Sequence, residues 1–78
     1  MIKKISLEGA RILAGLSQRE AAKKFGVHYQ TLASWEDDPS KMQRKYQDMI
    51  KDIYYVSDDA IFFGTKNEFT RYYQKENN

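Results

Sequence analysis

Apolar residues recur along the chain three and four positions apart, in short runs cut by glycine, proline or paired acidic residues. Leu7, Ala10, Arg11 and Ala14 stand at i, i+3, i+4 and i+7. Ser6 precedes them as an N-cap, able to offer its hydroxyl to an unpaired N–H of the first turn. Gly15 follows, where a helix end calls for a positive φ. This spacing predicts a helix over 7–14. The clearest start signal is Ser17-Gln18-Arg19-Glu20, a capping box in which serine and glutamate satisfy each other's backbone N–H groups. Ala21, Ala22 and Phe25 form the apolar face of the helix it opens, and Gly26 ends that helix.

Only Val27 and His28 separate Gly26 from a third helix starting at Tyr29, with Leu32 and Trp35 on its inner face. Two short helices joined by a three-residue turn containing glycine form a helix-turn-helix. Asp37-Asp38-Pro39 breaks the run. Ser40-Lys41-Met42-Gln43 then reads as a second capping box, of the glutamine type, opening a fourth helix from about Lys41 to Tyr54. Tyr46, Met49, Ile50 and Ile53 share its inner face. Ser57-Asp58-Asp59 predicts a short fifth helix through Ala60, Ile61, Phe62 and Phe63 to Gly64. Residues 1–5 alternate weakly and read as extended. Residues 65–78 are polar but carry Phe69, Tyr72 and Tyr73, which suit a helical face or a partner surface, and the last few residues are expected to fray. The fold class is all-α, a five-helix domain with helices two and three as the motif. The domain spans 1–64, with 65–78 as a C-terminal tail.

Composition narrows the functions open to this fold. Its 78 residues suffice for one core, and 41% hydrophobic with 31% charged residues is the balance of a globular chain. With no Cys and one His, neither a disulfide framework nor a thiolate metal site is expected. No Gly-rich phosphate loop, nucleophile elbow or metal motif occurs, Asp58 and Asp59 read as an acidic first turn, and His28 has no catalytic partner in the motif. The expectation is a non-enzyme that needs no cofactor and no small-molecule ligand. No apolar run nears the roughly 18 residues of a membrane span, and no signal peptide precedes the first helix, so a cytoplasmic location is expected. The net charge of +2 is unevenly spread. Residues 1–36 hold six basic and three acidic side chains, whereas 37–78 hold seven and eight. A polyanion would therefore meet the first half.

The outward positions of the third helix are Tyr29, Gln30, Ala33 and Ser34. Tyr29, Gln30 and Ser34 carry donors and acceptors of the kind that read base edges, and a glutamine can bond adenine through two hydrogen bonds. The stretch LEGARILAGLSQREAAKKFGVHYQTLASWE resembles the helix-turn-helix of the lambdoid repressor and Cro type, the XRE family. Leu16-Ser17-Gln18, Glu20, Ala22, Gly26-Val27, Leu32 and Trp35-Glu36 carry the resemblance, and IYYVSDDAIFFG is similar to the last two helices of small phage regulators. It implies a transcriptional regulator that places the third helix in the major groove of double-stranded DNA. By position, Tyr29, Gln30 and Ser34 would contact bases, with Thr31 at the edge of reach. Gln18, His28, Lys41 and Arg44 would contact phosphates, His28 also standing as N-cap of the third helix. Arg11 would pair with Glu36 in a structural salt bridge. The family has Ser or Thr at position 28, and Asn-Gly or similar where this chain has Asp37-Asp38, two carboxylates that would repel nearby phosphates.

One such domain covers about half an operator, so a homodimer is expected. Phe62, Phe63, Phe69 and Tyr72 are the residues expected to form its interface. The alternative reading is a protein-interaction module, an antitoxin or the partner of another regulator, supported by the low net charge and by Asp37-Asp38.

Overall fold

The structure, a computed structural model, describes residues 4–76. Its helices are α1 (Leu7–Leu13), α2 (Gln18–Phe25), α3 (Tyr29–Asp37), α4 (Arg44–Gln47), α5 (Ile50–Tyr54) and α6 (Lys66–Glu76), with 3-10 turns at Pro39–Lys41 and Asp58–Ala60. The chain is all-α, as the sequence predicts, and no β-strand forms among the described residues.

Local signals set the first three helices. Ser6 caps α1 by accepting the Gly9 N–H, and both halves of the Ser17–Glu20 box are made at α2. The N–H of Ser17 bonded to the Glu20 carboxylate holds that carboxyl below its ordinary pKa. The box is therefore complete at neutral pH and loosens as acid protonates Glu20. Gly26 takes the left-handed conformation, φ 78° and ψ 30°, and Val27 closes the turn on the Ala22 carbonyl at 3.0 Å.

The fourth and fifth segments depart from the sequence reading. The Ser40–Gln43 box does not form. Asp38 caps the 3-10 turn instead, accepting from the backbone and hydroxyl of Ser40, with Pro39 at its first position. Met42 and Gln43 are extended, which seats the buried Met42 in the core and delays α4 to Arg44. Between α4 and α5 the backbone stays near-helical at Asp48 and Met49. The bond from Met49 to the Tyr46 carbonyl tightens to the i→i+3 pattern there, so the expected continuous helix is two short ones.

Ser57 caps its turn as expected, but only Asp58–Ala60 coils. Ile61 is drawn into an isolated parallel bridge with Ile5, through Ile5 N–H to Ala60 and Phe62 N–H to Ile5. That non-local pair overrides the local helix signal at Ile61 and Phe62. Ile5 is thus extended, as read, while residues 1–3 lie outside the described residues. Gly64 does not end a helix: a Cβ there would stand 2.6 Å from the Phe62 ring and 2.7 Å from the Glu68 carboxylate. Its small size lets α6 start close to Phe62.

The predicted tail contains α6, opened by a Thr65–Glu68 capping box. Phe69 and Tyr72 pack on Phe62, with ring centroids 5.6 and 5.0 Å from it, and the Tyr72 hydroxyl accepts the Lys4 N–H at 2.9 Å. Residues 77 and 78, where fraying is expected, lie outside the described residues.

The core holds Leu7, Ala10, Ala21, Ala22, Phe25, Leu32, Trp35, Met42, Ile50, Ile53, Tyr54 and Ile61. Phe25 meets the edges of both Trp35 and Tyr54, at 5.9 and 5.5 Å, and Trp35 packs on Tyr46. Two charged residues are buried with them, Arg11 and Glu36, 9% and 4% exposed. Arg11 Nε donates to Glu36 Oε2 at 2.6 Å and Nη2 to Oε1 at 3.4 Å, while Nη1 donates to the Leu16 carbonyl. The hydrogen bond to Glu36 raises the arginine's pKa further. Gln18 Nε2 completes the cluster on Glu36 Oε1 at 2.9 Å. One carboxylate thus ties the last turn of α1 and the start of α2 to the end of α3.

Breaking a buried pair strands a charge, so Glu36→Ala is expected to cost about 3–5 kcal/mol in urea unfolding, and adding Arg11→Met with Leu at 36 should recover most of it. A loss under about 1 kcal/mol would place the pair among screened surface bridges. Tyr54 offers the opposite case. Its buried hydroxyl has no hydrogen-bond partner among the described residues, and burial, then the nearby Glu36 charge, pushes its pKa up. Tyr54→Phe is expected to stabilise the fold by about 1 kcal/mol, and a loss of that size would contradict the unpaired hydroxyl.

Candidate nucleic-acid interface

α3 has two unlike sides. Leu32, Trp35 and Glu36 are buried, whereas Gln30, Thr31 and Asp37 are exposed. Gln30 and Ser34 stand one turn apart on the polar side, Ser34 half-buried beside Ala33. The helix therefore spends only its inner face on the core and leaves a strip of amide and hydroxyl groups in solvent.

His28 caps α3. Its Nδ1 accepts the Gln30 N–H at 3.1 Å, which in a neutral imidazole leaves Nε2 as an outward donor. The imidazole thus fills the capping role that Ser or Thr hydroxyls commonly fill at helix starts. Its ring stacks on that of Tyr29, centroids 4.6 Å apart. Tyr29 is half-buried and packs partly on the core. Across from α2, the Arg19 guanidinium lies 3.9 Å from the Tyr29 ring centroid. Sequence reading missed Arg19: its contact joins two helices, and the capping box around it gave no hint of a further role.

The expected phosphate contacts are placed differently from one another. Gln18 is half-buried and directs one amide N–H to Glu36. Lys41 is exposed in the 3-10 turn. Arg44 is exposed and pairs with Asp48 at 3.1 Å, an i,i+4 contact with both side chains mostly in water. Pairs of that kind contribute only about 0.3–0.5 kcal/mol, so Arg44 is readily released to another anion.

Asp37 and Asp38, expected to repel phosphates, are both engaged. Asp38 caps the 3-10 turn. Asp37 pairs with Lys66 Nζ at 3.2 Å, and the same ammonium lies 3.8 Å from Glu8. The hydrogen bond to Asp37 first, then the Glu8 charge, raises the Lys66 pKa. The cation that pairs with Asp37 comes from α6, far from position 37 in sequence.

Of the four rings expected at a dimer interface, Phe62, Phe69 and Tyr72 pack on one another and Phe63 is half-buried against the core. No described helix is long and apolar enough to cross a membrane, and no cluster of metal-ligating side chains occurs among the described residues.

A family model described as "Helix-turn-helix" matches residues 7–41, from the first residue of α1 through the 3-10 turn after α3. No curated protein and no solved structure matches the chain significantly. The matched stretch, 35 of the 78 residues, contains the capping box, the Gly26 turn, the exposed strip of α3 and the Arg11–Glu36 pair that braces it, and in these residues the chain is similar to the XRE (Cro/C1-type) helix-turn-helix of DNA-binding regulators.

Proposed function

We propose that the protein binds a palindromic operator in double-stranded DNA and represses transcription by occupying it, in the manner of the small phage or prophage regulators it resembles. The observation that carries this reading is the half-buried state of α3: a helix fixed on its inner face, with Gln30, Thr31 and Ser34 along the other. The N-terminal part of such a helix reaches base edges in the major groove. Gln30 and Ser34 bond bases, with Tyr29 beside them and Thr31 at the margin.

The phosphate contacts surround this strip. His28 donates from Nε2, and Gln18 uses the second N–H of the amide that Glu36 holds. Lys41 and Arg44 grip the strand beyond the 3-10 turn. The Asp37–Lys66 pair supports the assignment, because it offsets the charge that otherwise favours a protein-binding role for this face. One domain covers one half-site, and two copies bind half-sites about one helical turn apart. Phe62, Phe63, Phe69 and Tyr72 shape the body that carries any such interface, since their rings anchor α6 and adjoin the core.

Selection of bound duplexes from a random pool tests this reading: it predicts an enriched palindrome bound by two chains. On that site Gln30→Ala should cost about 1–3 kcal/mol and relax preference at one base pair, whereas Lys41→Ala should weaken all sequences alike. With about five phosphates neutralised by the two chains together, log affinity should fall against log salt with a slope near −4 to −5. Unchanged affinity in Gln30→Ala would contradict the placement of α3, and the absence of any saturable DNA shift at low salt would favour a protein partner instead.

A further inference from the structure

Three side chains converge at one corner of the motif: Arg19 from the first turn of α2, His28 from the turn, and Tyr29 from the first position of α3. The Tyr29 ring is gripped from two sides of the sequence, by the His28 imidazole at 4.6 Å and by the Arg19 guanidinium at 3.9 Å. Arg19 itself is exposed, and its guanidinium makes no hydrogen bond or ion pair among the described residues. A planar fork of five N–H donors is thus held on an aromatic ring with its hydrogen-bonding capacity unused.

We infer that Arg19, positioned by Tyr29, is a specificity-determining residue that reads a guanine in the major groove. The inference rests on the operator reading above and extends the recognition surface from α3 to α2. The first position of α3 is the end of the helix that approaches base edges, and the ring there carries the guanidinium with it. Guanine O6 and N7 form the pair of acceptors that matches an arginine fork, the commonest specific contact of this kind. Cation–π contact uses the face of the guanidinium and leaves its N–H edges available, so the ring and the base do not compete for the same atoms. Lysine cannot replace arginine here: its ammonium keeps the charge but has no fork.

The test is selection from a random duplex pool with the full chain and with Arg19→Ala, Arg19→Lys and Tyr29→Phe. Wild type should enrich a G·C pair at one position of each half-site, and Tyr29→Phe, which keeps the ring but loses the hydroxyl, should keep that guanine even where preference at the base beside the hydroxyl relaxes. Both Arg19 variants should lose that enrichment alone, with discrimination at the position falling roughly 5- to 100-fold and the remaining palindrome unchanged. Equal melting temperatures among the four proteins assign the effect to recognition rather than folding. Retained guanine preference in the Arg19 variants would overturn the inference. So would a uniform loss across sequences with a salt slope about one unit shallower in Arg19→Ala, which would make Arg19 a phosphate ligand. Should wild type enrich no sequence at all, the operator reading fails with it, an outcome distinct from an enriched palindrome without the guanine.

Discussion

A guanidinium and a carboxylate that cannot stay buried apart decide where α3 lies. Arg11 and Glu36 are inside the domain, and removing either from water is unfavourable unless the other meets it in good geometry. The Arg11 fork, the Leu16 carbonyl and the Gln18 amide meet that demand together. A hydrophobic contact between α1 and α3 would tolerate sliding or rotation. This cluster does not, because a shift of an ångström leaves a charge short of its partners. It fixes the angle at which the outer strip of α3 faces solvent, and because Gln18 belongs to it, the start of α2 is fixed in the same frame. The groups assigned above to bases and phosphates would thereby be set before any DNA arrives, which would lower the ordering cost of the proposed binding.

Electrostatics on the surface follow from tertiary contacts more than from net charge. An overall +2 is a weak argument for a polyanion partner. Near α3, however, the local balance is shaped by α6. Lys66 offsets Asp37 and approaches Glu8, while Asp38 is occupied as a cap. The C-terminal helix is held in turn by the Phe62–Phe69–Tyr72 cluster and by the Lys4–Tyr72 hydrogen bond. Both ends of the described chain therefore bear on the charge presented beside α3.

Where structure follows from neighbours in sequence, it was legible. The Ser17–Glu20 box, the Gly26 turn and the Leu32–Trp35 spacing each act within a few residues, and α2 and α3 form where they predict. Where two local options compete, the pattern misled. Ser40 reads as a cap, yet Asp38, two residues earlier and followed by proline, takes that role. The Ile5–Ile61 bridge lies beyond any local reading, and it converts the end of the expected fifth helix into extended chain. The aromatic spacing of residues 69–73 did suggest a helical face, but its partner, Phe62, is supplied by the fold. In the site, the strip on α3 was visible from periodicity, and the Arg11–Glu36 pair only through the family resemblance. The Arg19–Tyr29 contact and the Lys66–Asp37 pair join separate elements and had no signature in the sequence.

The central claim, that α3 is braced from within and meets DNA with its outer strip, is tested most directly by following backbone amide resonances during titration with the selected operator duplex. The account predicts the largest shifts at residues 28–34 and at the start of α2, with the amides of α5 and of the buried Arg11 little changed. Shifts concentrated on α6 or on the exposed Ile12 and Leu13, with residues 28–34 silent, would contradict it.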